Sequence, residues 1–152
     1  MLAPSSKNRQ PWHFIVTTGS AKEQVLKAME AGLKREEKQP FLPESAPYLD
    51  GARATLKIMK EAPVIIFITD PLASPMDQPL AIDERVSEIC NAQSMGAAIE
   101  NMTLAATELG LGSLWICNTV FAQEELNHWL NADGQLYAAL AVGYADEAPA
   151  PR

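Results

Sequence analysis

Apolar positions in this chain form two kinds of pattern, short unbroken runs and longer stretches with a helical repeat. The longest repeat covers residues 84–109, where Ala92, Met95, Ile99, Met102, Ala106 and Leu109 recur at spacings of three and four, the period of one helix face. Val86, Ile89, Gly96, Ala98 and Thr103 widen that stripe and predict burial on more than one side. Gly96 inside a helix is unfavourable by about 1 kcal/mol against alanine, which points to a close neighbour, either another backbone or a ligand. Gly110 stands where a left-handed residue ends a helix, and the apolar run 113–117 behind it predicts a buried strand. Periodicity alone favours a monomer's core helix over a dimer seam.

The remaining pattern supplies three more strands and three more helices. Residues 13–18, 63–69 and 136–143 predict strands, with 63–69 apolar throughout and therefore buried on both faces. Ser20 with Glu23 predicts a capping box opening an amphipathic helix on Val25, Leu26, Met29 and Leu33 that ends near Lys38. Residues 51–61 predict a short helix, and 122–131 another with Leu126 and Trp129 on one side. Proline-rich stretches at 39–50 and 70–83 predict surface loops, and Asp133-Gly134 a turn. The mixture predicts one domain over 1–152, a central sheet covered by helices.

A chain of 152 residues buries roughly 70% of its unfolded surface and needs no metal or disulfide staple. The net charge of -7 argues against nucleic acid or an anionic membrane as partner. Cys90 and Cys117 form no CxxC pair, so no zinc site is signalled and a reducing compartment is expected. No apolar run reaches 18 residues and no signal-peptide pattern opens the chain, which leads to the expectation of a soluble, cytoplasmic protein.

Two stretches carry candidate chemistry. The turn Pro4-Ser5-Ser6-Lys7-Asn8-Arg9-Gln10-Pro11 gathers hydroxyls, amides and cations suited to a phosphate or a polar heterocycle edge, or is a polar loop anchored by Trp12. Cys117-Asn118 ends a strand, where ligands bind in helix-covered sheets, or is a plain strand end. His13 and His128 have no partner pattern, and GxSxG, P-loop, GxGxxG and HExxH motifs are all missing.

PSSKNRQPWHFIV, residues 4–16, resembles the P-S-x-x-N-x-Q-P-W-x-F-x-V segment of the nitroreductase family of FMN-dependent NAD(P)H oxidoreductases. AIENMTLAATELGLGSLWI is similar to that family's long central helix and following strand, and LAVGYADEAPAPR to its closing strand and G-Y-x-x-E-x-P tail. The resemblance implies the nitroreductase fold, an α+β domain with a central mixed or antiparallel sheet covered by helices, and an FMN site. Ser5, Ser6 and Asn8 match flavin contacts, Pro4 shapes their turn, and Gln10 lies near it. Cys117 and Asn118 match positions that turn backbone N–H groups to the flavin N5 and O4 edge, and Arg152 matches a phosphate-pairing tail arginine.

The activity so implied is ping-pong electron transfer from NADH or NADPH to nitroaromatic, quinone or similar small acceptors, the flavin carrying the chemistry with no catalytic side chain. Dehalogenation and cleavage of the flavin ring are other chemistries of the same superfamily. The resemblance also implies a homodimer through helix 84–109, with Ala92, Met95, Gly96, Ile99, Met102 and Thr103 as its face and a flavin site shared by two subunits. Family members normally open with a helix bearing an Arg-x-Ser-x-Arg type segment and continue past the tail arginine, so the expectation is either a chain truncated at its N-terminal side, or at both sides, or a minimal homologue with weak or altered flavin binding. Lys7 and Arg9 would then stand in for the missing arginines, and the alternative reading is a non-catalytic or degenerate flavin-binding dimeric module.

Overall fold

β1 (His13–Thr18), β2 (Val64–Asp70), β3 (Leu111–Ile116) and β4 (Gln135–Tyr144) pair in the order β1-β2-β4-β3. Every pairing is antiparallel in this computed structural model, which describes residues 3–146. Three helices, α1 (Gly19–Lys38), α2 (Leu49–Glu61) and α4 (Gln123–Leu130), cover one face of the sheet, and α3 (Ile82–Glu108) covers the other.

Side-chain alternation along β2 explains the two layers. Ile65 and Phe67 point into a core built with Val25, Leu26, Met29 and Leu33 of α1, Leu56 of α2 and Leu126 of α4. Ile68, with Ile66 beside it, points the other way, onto Met95 and Ile99 of α3. The strand is thus buried on both faces, as its unbroken apolar run predicts. On α1 the buried residues Val25, Leu26, Met29, Leu33 and Glu36 keep helical spacing, and on α2 so do Leu49, Ala52, Leu56 and Met59.

Several expectations need correction. α1 starts at Gly19, directly off β1, with Thr18 at its N-cap and no side-chain cap bond, so Ser20 lies inside the first turn and the Ser20–Glu23 capping box does not form. Residues 118–122 wind as a 3-10 turn before α4, and Leu126 pairs with Leu130 on the buried side while Trp129 faces solvent. α3 is buried on one face only. Met95, Ala98, Ile99 and Ala106 are covered, but Ala92 precedes the point where the helix meets the sheet, and Leu109 lies past its end in solvent.

Gly96 has no close backbone neighbour within the chain. A Cβ there would meet Trp115 at 3.6 Å, an ordinary contact. Gly110 does behave as expected, ending α3 at φ 71. At the other end of α3, Glu84 Oε2 accepts the Ala81 N–H at 2.8 Å. No helix among the described residues is long and apolar enough to cross a membrane.

Candidate functional site

The register of the sheet gathers the chemistry-bearing segments at one end. His13 at the start of β1 faces Thr69, Asp70 at the end of β2 faces Gln135 at the start of β4, and Ile116 at the end of β3 faces Ala139. The Ser5–Gln10 turn, the loop after Asp70 and the Cys117-Asn118 pair therefore all leave the sheet at the same end. With strands spaced about 4.8 Å apart, β1 and β3 lie three spacings, roughly 14 Å, from each other.

The turn is held in a shape that L-residues rarely adopt. Lys7, Asn8 and Gln10 have φ of 52, 52 and 50, a left-handed conformation that is sparsely populated outside glycine and persists only when the surroundings enforce it. The enforcement is visible. Asn8 N–H donates to Ser5 O at 3.0 Å and Arg9 N–H to Ser6 O at 3.1 Å. Ser5 Oγ accepts Gln10 N–H at 3.1 Å, and Gln10 Nε2 donates to Asn8 Oδ1 at 3.1 Å. Ser6 N–H donates to Ser94 Oγ on α3 at 3.1 Å, so that backbone donor serves the fold. Pro4 enters the turn exposed, and Trp12 leaves it stacked on Phe14 with ring centroids 6.5 Å apart.

Cys117 presents an exposed thiol, and its carbonyl accepts Val120 N–H at 3.2 Å as the 3-10 turn begins. Asn118 Nδ2 donates to Thr55 Oγ1 on α2 at 2.9 Å. The two candidate segments are consequently anchored to helices on opposite faces of the sheet, Ser6 to α3 and Asn118 to α2, and no hydrogen bond joins them among the described residues. Arg152 lies outside the described residues.

A feature with no signal in the sequence adjoins the turn. The β2–β4 register shifts between Ile68 and Thr69, which face Ala138 and Leu136, leaving Tyr137 as the extra residue of a bulge. Tyr137 thereby turns to the α3 side and lines a cleft of about 540 Å³ with Arg9, Pro11, Asp70, Glu88 and Asn91. Asp70, fully buried, accepts Leu72 N–H at 3.0 Å and Asn91 Nδ2 at 2.9 Å. The Tyr137 hydroxyl is buried without a partner, and burial first, then the charges of Asp70 and Glu88, push its pKa up to about 12. Gly134, at φ 72, lets the backbone pass against Asp70 O and Pro71, space that a side chain would fill.

A second cleft, about 380 Å³, takes Phe41 from the first proline-rich loop and Pro75, Met76 and Asp77 from the second. Both proline-rich loops thus line this cleft. No group of three His, Cys, Asp or Glu residues among the described ones is arranged to hold a metal ion.

Comparison with known proteins agrees with this architecture. The nitroreductase family pattern matches residues 1–144. A protein of Archaeoglobus fulgidus described as an NADH dehydrogenase/NAD(P)H nitroreductase is 30% identical over 125 residues, 82% of this chain and 52% of that one. The chain thus spans about half the length of that curated relative. A BluB-like flavoprotein from Clostridium difficile 630 superposes with TM-score 0.69 at 27% identity, covering 99% of this chain and 78% of that one. The FMN-dependent nitroreductase NfnB from Mycobacterium smegmatis, in complex with NADPH, shares the fold with TM-score 0.67 at 19% identity, over 95% of this chain and 73% of that one.

Proposed function

The chain belongs to the nitroreductase family, and on that premise we propose that it is a cytoplasmic FMN-dependent NAD(P)H oxidoreductase acting on nitroaromatic, quinone or similar small acceptors. The observation that carries the proposal is the Ser5–Gln10 turn. Three L-residues held left-handed by a closed set of hydrogen bonds, at the sheet end shared with Cys117 and Asn118, are strain of the kind proteins store at ligand sites.

The donor set fits FMN. The Ser6 hydroxyl, the Asn8 amide and the Lys7 and Arg9 cations offer hydrogen bonds and charge to a heterocycle edge and a phosphate. Pro4 shapes the turn, and Ser5 and Gln10 brace it from within, while the Ser5 hydroxyl, which accepts one bond there, still has its hydrogen to give to a flavin. Cys117 and Asn118 would close the ring edge, and Arg152 the phosphate. Bound FMN would supply the electron transfer in a ping-pong cycle between NAD(P)H and acceptor; the protein's part is to hold and orient it.

The anchoring of these segments on opposite faces of the sheet supports a site completed by a second copy of the chain, in a homodimer through α3. Its face would differ in part from the one the resemblance implies. Met95 and Ile99 are buried in the chain's own core and unavailable to a partner, whereas Val86, Ile89 and Leu104 are exposed on the opposite side of α3. Val86 and Leu104, about five turns apart, share one stripe.

Protein reconstituted with FMN should retain a flavin absorption spectrum and be bleached anaerobically by NADH or NADPH. A colourless protein would sink the proposal, and retained flavin with no bleaching by either donor would leave only a flavin-binding module.

A further inference from the structure

We propose that Ser94 is a positioning residue for the Ser5–Gln10 turn, fixing it to α3 in the shape that receives FMN; the FMN part of this inference rests on the function proposed above. Ser94 is 5% exposed and lies on α3 where that helix first packs against the sheet. A serine hydroxyl has one hydrogen to give and lone pairs to receive with. The hydrogen goes to Cys90 O, one helical turn back, at 2.7 Å. The oxygen is therefore committed to accepting, and it accepts Ser6 N–H from a segment 88 positions away in sequence.

The ordinary explanation for a helical serine of this kind is back-bonding to its own helix. That bond accounts for the hydrogen but not for the lone pair aimed at the turn. Thr107 supplies the contrast within the same helix, because its Oγ1 makes the same bond four residues back, to Thr103 O at 3.0 Å, and is exposed, with no contact to the turn.

The consequence follows from the strain. Left-handed Lys7, Asn8 and Gln10 stay in place only while the surroundings over-determine them, and Ser94 is the tie from the turn to a regular element. Without the acceptor, Ser6 N–H turns to water and the turn relaxes towards ordinary backbone angles, so FMN must reorder it on binding. Because α3 also carries the proposed dimer face, the same hydroxyl links the turn to the helix that joins the two subunits.

Ser94→Ala and Thr107→Ala, prepared in the full chain, separate this role from back-bonding. The expected result is about tenfold weaker FMN binding by flavin fluorescence titration for Ser94→Ala, with Thr107→Ala unchanged. Amide hydrogen exchange in the flavin-free protein should quicken across residues 5–10 in Ser94→Ala while α3 keeps its protection. Equal FMN affinity and equal exchange in Ser94→Ala and the unsubstituted protein would overturn the proposal, as would a Thr107→Ala effect of the same size. If the unsubstituted protein takes up no FMN, the functional reading fails and the FMN part with it, whereas fast exchange confined to residues 5–10 would still uphold Ser94 as the anchor of the turn.

Discussion

Asn118 is tied to Thr55 across the α2 side of the sheet: its Nδ2 donates to Thr55 Oγ1 at 2.9 Å, while that hydroxyl donates to Gly51 O at 3.0 Å. The arrangement repeats the one at Ser94, a helical hydroxyl spending its hydrogen on its own helix and its lone pair on a segment at the sheet end. Thr55→Ala should lower stability by about 1 kcal/mol, and the effects of Thr55→Ala and Asn118→Ala should fall short of adding by more than about 0.5 kcal/mol. Denaturant unfolding of the two single variants and the double variant measures this. Strict additivity would mean the bond contributes nothing.

Glu36 ties the end of α1 to the loop that follows. Burial pushes its carboxyl pKa up, but the N–H groups of Phe41 and Leu42, at 2.8 and 3.0 Å, together with Ser45 and Arg35, outweigh burial and hold it below the ordinary 4.5. A lowered folded value means the stabilisation is complete above 4.5 and fades as pH falls through the folded value. Glu36→Gln should cost about 1–3 kcal/mol at neutral pH, and the gap from the unsubstituted protein should narrow once the pH falls below 4.5. A gap that stays constant with pH would refute the assignment.

Tyr137 should tolerate loss of its hydroxyl. That group is buried without a partner, so Tyr137→Phe should leave stability within about 0.5 kcal/mol or raise it. The sign at alkaline pH follows from the raised pKa: the folded state favours the neutral phenol, a contribution present below 10 and lost as pH rises through about 12. Thermal unfolding of the two proteins tests the first point, and a loss above about 1 kcal/mol would reveal a partner for the hydroxyl.

Leu104 is 60% exposed on the outer stripe of α3. Leu104→Glu should convert a dimer to a monomer by size-exclusion mass, and FMN retention should fall with it, while the helix itself stays folded by circular dichroism. If mass and flavin content both persist, the dimer face lies elsewhere.

The sequence made much of this legible, and the misses share a cause. The unbroken apolar run of β2 and the helical spacing on α1 and α2 depend on local period, which tertiary structure rarely overrides when the segment is long. Met95 and Ile99 sit in the period of a helix face, but period cannot say whether that face meets its own sheet or another chain. The left-handed Lys7, Asn8 and Gln10 were hidden because none is glycine; their conformation is set by Ser94 and by bonds within the turn. Tyr137 reads as one more alternating position in a strand, and only the register slip against Thr69 turns it into the cleft.

The sheet order also dictates when the protein can fold. β4, the last in chain order of the four described strands, lies between β2 and β3 and is the sole partner of β3 among the described residues. Domains generally fold N-terminal part first during synthesis, yet here a nascent chain ending before Gln135 holds a β1–β2 pair with both edges bare and a β3 without the strand it pairs to. Closure of the sheet therefore awaits residues 135–144, and until they emerge Ile66 and Ile68 lack Leu140 and Ala138, the β4 residues they face and share a core with.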